Sequence, residues 1–127
     1  MIERVLDASA VIAFLRGEPG AEIVGTAIEG SGISAVNLSE VVSWLARHDY
    51  DDENMASTLE GLAMEVVPFN ADLAVESGKL ERGRRRSGIS LGDRCCLATA
   101  RALAVPVLTA DRAWAKLKLG VEIELIR

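Results

Sequence analysis

Apolar positions along this chain fall into two kinds of run. Some are short and bounded by turn residues, and others recur every three or four positions. Residues 4–6 (Arg-Val-Leu) are too few and too β-branched at Val5 to propagate a helix, so they read as a strand, whereas residues 8–15 are apolar almost all round and read as a buried helix. Gly17, Pro19 and Gly20 then mark a turn, and Ala21, Val24 and Ile28 repeat at helical spacing until Gly30 and Gly32 stop them. Residues 32–36 form the second strand. Asn37 begins the clearest helix, with Leu38, Val41, Val42 and Leu45 on one face and Glu40 well away from it. Met55, Leu59 and Leu62 predict a partner helix entered from the acidic run Asp51, Asp52, Glu53, which suits the positive end of a helix dipole; the two helices pair as a hairpin. A third strand spans residues 65–69, with Pro68 at its end or on an edge. Asn70 caps a helix that runs into a basic stretch and breaks near Ser87 and Gly88, and Ser90 to Asp93 open a strongly apolar helix through Leu103. Residues 105–109 are the fourth strand, 111–118 a short helix and 121–126 the last strand.

Strands alternating with helices imply a mostly parallel sheet with helices on both faces, an α/β fold of three layers, α/β/α. At 127 residues, with no internal repeat, long linker or composition shift, the whole of residues 1–127 is expected to form one domain. No apolar run approaches the roughly 20 residues that span a bilayer, and no charged lead precedes an isolated apolar segment, so the expected setting is cytoplasmic, with no membrane partner. Cys95 and Cys96 are adjacent in a helical pattern, which suits neither a disulfide framework nor metal-ligand spacing; they read as small core residues. The single histidine, His48, lies among Arg47, Asp49 and Tyr50 and reads as solvated at a helix end.

Charge changes the picture locally. The net charge of −5 argues against a general nucleic-acid binder, yet Lys79, Arg82, Arg84, Arg85 and Arg86 form one dense basic patch against the single acid Glu81. That patch is a candidate guide for a nucleic-acid backbone, with a solvated helix end as the alternative. Trp44, on a hairpin more apolar than one core-facing stripe needs, is a candidate partner surface, with plain core packing as the alternative.

Four acids carry the chemistry. Asp7 ends the first strand, and Glu40, Asp93 and Asp111 follow comparable strand or helix-start signals, so in a parallel sheet all four can converge on the edge where open α/β folds bind ligands. Each has an ordinary structural role as well: Asp7 and Asp111 as N-caps, and Asn37 with Glu40 and Ser90 with Asp93 as capping boxes. Brought together they would repel, since two unit charges ~4 Å apart cost about 4 kcal/mol at an effective dielectric near 20, and such a cluster needs cations. Oxygen ligands without His or Cys point to Mg²⁺ or Mn²⁺ rather than zinc, and metals held by carboxylates suit phosphodiester hydrolysis. No Ser-His-Asp or Cys-His set is available.

The segments Leu6-Asp7-Ala-Ser-Ala, Ser34-Ala-Val-Asn-Leu-Ser-Glu40, Ser90-Leu-Gly-Asp93 and Leu108-Thr-Ala-Asp111 resemble the PIN-domain family, and within it the ribonuclease toxins of VapBC toxin–antitoxin pairs, over essentially the whole length. The resemblance implies a PIN-like sheet of about five parallel strands, with Asp7, Glu40, Asp93 and Asp111 as metal-binding catalytic acids. It further implies Mg²⁺-dependent endoribonuclease activity on an RNA substrate, a homodimer, and a cognate antitoxin as partner. Ser9 and Thr109 fall where the family often carries supporting hydroxyls, while Asn37 stands where a threonine is common. The alternatives are a PIN-like scaffold that binds protein without activity, and a metal-dependent nuclease acting on DNA. A phospho-acceptor receiver would need an acid where Asn70 stands, and an aspartyl phosphatase one where Ser9 stands.

Overall fold

The computed structural model describes residues 1–82 and 88–127. Its elements follow in the order β1 (Arg4–Leu6), α1 (Ala8–Arg16), α2 (Ala21–Ala27), β2 (Ser31–Ser34), α3 (Ala35–Arg47), α4 (Asp52–Gly61), β3 (Glu65–Val67), α5 (Ala71–Lys79), α6 (Leu91–Leu103), β4 (Val107–Thr109), a 3₁₀ turn (Arg112–Lys116) and β5 (Ile123–Leu125). The five strands are all parallel, in the order β3-β2-β1-β4-β5.

Alternation along the short strands explains the three layers. Leu6, Ile33 and Leu108 face a core completed by Ala10, Val11, Val24, Val41 and Leu45 from α1, α2 and α3. Their strand neighbours Val5 and Val107 face the opposite core, with Cys96, Leu97, Ala98 and Ala100 of α6 and Trp114. The sheet is thus covered by helices on both sides. Small residues all round α6 let it lie against α3, α5 and β1 together.

Local chemistry sets most element ends. Asp7 caps α1 by accepting from the Ala10 N–H, and Gly17 ends it at φ 65°, the left-handed conformation that glycine adopts without a Cβ penalty. Asn70 caps α5 as its sequence context predicts, and Asp51, expected only as part of an acidic run at the helix start, caps α4 by accepting from the Asn54 N–H. Ser90 and Asp93 form a full capping box at α6.

Three sequence-based expectations are corrected. The second strand stops at Ser34, and Ser34 rather than Asn37 caps the next helix by accepting from the Val36 N–H, so α3 starts at Ala35. The helix from Ala71 ends at Lys79 instead of running toward Ser87. The last two strands are shorter than their apolar runs, and the segment after Asp111 closes as a 3₁₀ turn. Pro68 follows the last residue of β3, and among the described residues β3 is an edge strand, paired with β2. Arg84, Arg85 and Arg86 of the basic patch lie outside the described residues, and no described helix is long and apolar enough to cross a membrane.

Candidate active site

The chain lays down β1, β2 and β3 to one side and then crosses back to place β4 and β5 on the other side of β1, so the order reverses between β1 and β4. In open parallel sheets the crevice at the carboxyl ends of such a pair is where ligands bind. Asp7 leaves β1 at that end, and Thr109 is the last residue of β4.

Asp7 is 5 % exposed. One carboxylate oxygen accepts from the Ala10 N–H at 2.9 Å, and the other accepts from the Thr109 hydroxyl at 2.6 Å. The Ser9 hydroxyl stands 2.8 and 2.9 Å from the two oxygens and donates to this carboxylate while accepting from the Ala110 N–H at 3.0 Å. Thr109 in turn accepts from the Asp111 N–H at 3.0 Å. The two hydroxyls therefore sit between the Asp7 carboxylate and the backbone that leads to Asp111. Burial pushes the Asp7 carboxyl up to about 6; the hydrogen bonds from Thr109, Ala10 and Ser9 hold it lower, and the charge of Asp93 adds to the rise.

Asp93 and Glu40 approach the same place from α6 and α3. Asp93 does not follow a strand, because α5 alone precedes α6; it arrives because α6 packs across β1 and α3. Its carboxylate accepts from the Ser90 N–H at 3.0 Å. Glu40 accepts from the Asn37 side-chain amide at 2.7 Å and lies against Gly92. The buried Cys96 thiol is pushed up by burial first and then by the charges of Asp7, Asp93 and Glu40. Asp111 is exposed, caps the 3₁₀ turn by accepting from the Ala113 N–H at 3.0 Å, and is linked to Asp7 through Thr109, whose hydroxyl accepts from the Asp111 N–H.

Among the described residues none of these four acids is in an ion pair, and no three His, Cys, Asp or Glu side chains are gathered closely enough to hold a metal ion. Each carboxylate is turned instead to a local donor. The chemistry of the set still suits a hard divalent cation, because its donors are oxygens and its most buried member has a like-charged neighbour with no described counter-ion.

Asn37, which reads from its sequence context as a cap and stands where the resembled family commonly carries a threonine, meets Glu40 and the Gly92 carbonyl instead. Its spacing to Glu40, three residues along one helix face, was the available signal; it becomes a side-chain contact because Ser34 takes over the capping. Lys79 is on α5 and ion-paired with Glu76, and Arg82 is exposed just beyond. His48 is exposed, as its setting predicts, and Cys95 and Cys96 are buried free thiols.

Several solved structures share the fold. A DNA-bound VapBC from Salmonella typhimurium aligns over 100 % of both chains with a TM-score of 0.78 and 19 % identity. A toxin–antitoxin complex from Klebsiella pneumoniae aligns over 98 % of both chains at 0.76 and 19 %. VapBC-5 from Mycobacterium tuberculosis, a member of the VapBC family of toxin–antitoxin systems, aligns over 98 % of both chains at 0.64 and 25 %. A search of curated proteins returns no match. The PIN domain family model matches residues 4–119, nearly the whole chain, and the protein therefore belongs to the PIN domain family.

Proposed function

We propose that this chain is the toxin of a toxin–antitoxin pair, a Mg²⁺-dependent endoribonuclease that hydrolyses RNA phosphodiester bonds with Asp7, Glu40, Asp93 and Asp111. The observation that carries the reading is Asp7: a carboxylate 5 % exposed at the reversal point of the sheet, pushed up by burial and by Asp93, and with no described cation beside it. Such a group weakens the fold unless a bound cation offsets its charge. The VapBC assignments of the similar structures support the toxin role and the antitoxin partner.

A bound Mg²⁺, or Mn²⁺ in its place, held by these carboxylates, would supply charge neutralisation at the phosphate and would lower the pKa of a water bound beside it. The chain's residues do the rest. Ser9 and Thr109 fix the Asp7 carboxylate by donating to it, so it meets a cation without a rotamer search. Asn37 and Ser90 orient Glu40 and Asp93 in the same way. Asp111 completes the oxygen set from the far side of Thr109, and Lys79, Arg82, Arg84, Arg85 and Arg86 guide the RNA backbone. The active species is a homodimer in the cytoplasm.

One observation favours a rival, a PIN-like scaffold that binds protein without activity. Every acid already has a local donor, and no described group closes on a metal. Parallel digestion of labelled RNA and DNA by the purified chain in Mg²⁺, Mn²⁺ and EDTA separates the readings. RNA cleavage in either metal and none in EDTA is the expected result. EDTA-resistant cleavage overturns the metal mechanism, preferential DNA cleavage makes the chain a deoxyribonuclease, and no cleavage with no metal-induced change in stability leaves the scaffold.

A further inference from the structure

Glu40 lies on the exposed side of α3, yet its carboxylate is pressed against the first turn of α6. Two residues bring this about. Asn37, one turn earlier and 1 % exposed, donates from Nδ2 to Glu40 Oε1 at 2.7 Å and to the Gly92 carbonyl oxygen at 3.0 Å. Both amide hydrogens are used, so the orientation of the amide is set and Glu40 is offered a donor. One nitrogen thereby ties the acid of α3 to the backbone of α6.

Gly92 supplies the space. A Cβ there would stand 2.5 Å from Glu40 Oε2 and 2.6 Å from Oε1, far inside the roughly 3.5–4.0 Å at which non-bonded atoms rest. The backbone at Gly92 is ordinary helix, so no left-handed conformation calls for glycine, and glycine inside a helix weakens it relative to alanine. Asn37 carries a cost too: its Oδ1 is buried with no hydrogen-bond partner among the described residues. Two residues unfavourable for local stability thus meet at one carboxylate.

From this we infer that Asn37 and Gly92 are positioning residues, a clamp and a cleft that hold the Glu40 carboxylate over the N-terminal turn of α6, where it joins Asp7 and Asp93 in binding a divalent cation. The inference rests on the nuclease reading for the cation and on the contacts above for the clamp. Asn37 acts through Glu40 and touches neither metal nor RNA. Leucine or aspartate at this position would offer no donor in place of the amide's two, and threonine would offer one.

The test is a double-mutant cycle read by Mn²⁺ binding to the full chain, with free Mn²⁺ measured by electron paramagnetic resonance and folding checked by melting in EDTA. Asn37→Ala is expected to weaken Mn²⁺ binding roughly 10- to 100-fold, the usual effect of removing a group that orients a ligand. In a Glu40→Gln background the same change should alter affinity less than about twofold, because the residue it positions is gone. Asn37→Thr, which keeps one donor, should recover part of the loss, and Gly92→Ala should mimic Asn37→Ala. If Gly92→Ala fails to fold, the Asn37 cycle decides. Parent-like binding by Asn37→Ala, or equal weakening in both backgrounds, overturns the inference and leaves the nuclease reading standing. A parent chain that binds no Mn²⁺ removes that reading, and the inference with it.

Discussion

Replacing Asp7 by asparagine removes a buried charge while keeping the N-cap, since asparagine caps helices about as well as aspartate. The Asp7 carboxyl moves from an ordinary 3.8 to about 6, which corresponds to about 3 kcal/mol of destabilisation by the ionised form at neutral pH. The sign is that of a raised carboxyl: between those values the folded chain binds more protons than the unfolded one, so this contribution is present at low pH and lost as pH rises through about 6. Asparagine escapes that loss. It keeps the Ala10 contact through its carbonyl oxygen, but its NH₂ cannot accept from Thr109, which costs about 1–1.5 kcal/mol. The variant should therefore be more stable than the parent at pH 7.5 in EDTA by about 1–2 kcal/mol, or about 3–6 °C for a domain of this size. Below pH 4, where the parent carboxyl is itself neutral, the order should reverse and leave the variant about 1 kcal/mol weaker. Excess Mg²⁺ at pH 7.5 should also reverse it, because a ligand at about 100 times its Kd stabilises the parent by about 2.7 kcal/mol and the variant hardly at all. Melting curves from pH 3.5 to 8, with EDTA and with Mg²⁺, decide the matter. A difference that stays constant across pH, or equal Mg²⁺ shifts in both proteins, would refute the reasoning.

The basic patch is tested by salt dependence. Changing Arg84, Arg85 and Arg86 to alanine should weaken RNA binding and flatten the slope of log affinity against log salt by about 2, three single-strand phosphate contacts at ~0.7 each; an unchanged slope would mean that these arginines do not meet the backbone. Trp44 is half-buried, packs against the core on the α3 face of the sheet and stacks on His48 with ring centroids 4.2 Å apart. Trp44→Ala should cost about 2–3 kcal/mol and, if the hairpin is a dimer surface, shift sedimentation toward monomer; a folded variant that remains as dimeric as the parent would assign Trp44 to packing alone.

The strand and helix order, the buried α1 and α6, and the acids Asp7, Asp93 and Asp111 at helix or turn starts were all legible in the sequence. Each of these depends on interactions within a few residues: a cap, a β-branched run, an apolar face. Boundaries were less legible where two local options compete. Ser34 and Asn37 can both cap a helix, and the choice went to Ser34 because β2 stops pairing with β3 at that residue. The same choice left the Asn37 side chain free to meet Gly92, 55 residues away.

Sequence alone determined the inventory: a mostly parallel α/β chain carrying four carboxylates, with a hydroxyl two residues from Asp7 and another two residues from Asp111. Only the tertiary structure decided which of these meet, because distance across a sheet is set by strand order and not by separation along the chain. The reversal between β1 and β4 sets Thr109 against Asp7, 102 residues earlier, and the packing of α6 across β1 and α3 brings Asp93 to the same end without a strand of its own. Burial, too, belongs to the assembled structure: a lone Asp after a strand is an ordinary carboxylate, and it becomes one held up near 6 only when two helical layers and a second acid close over it.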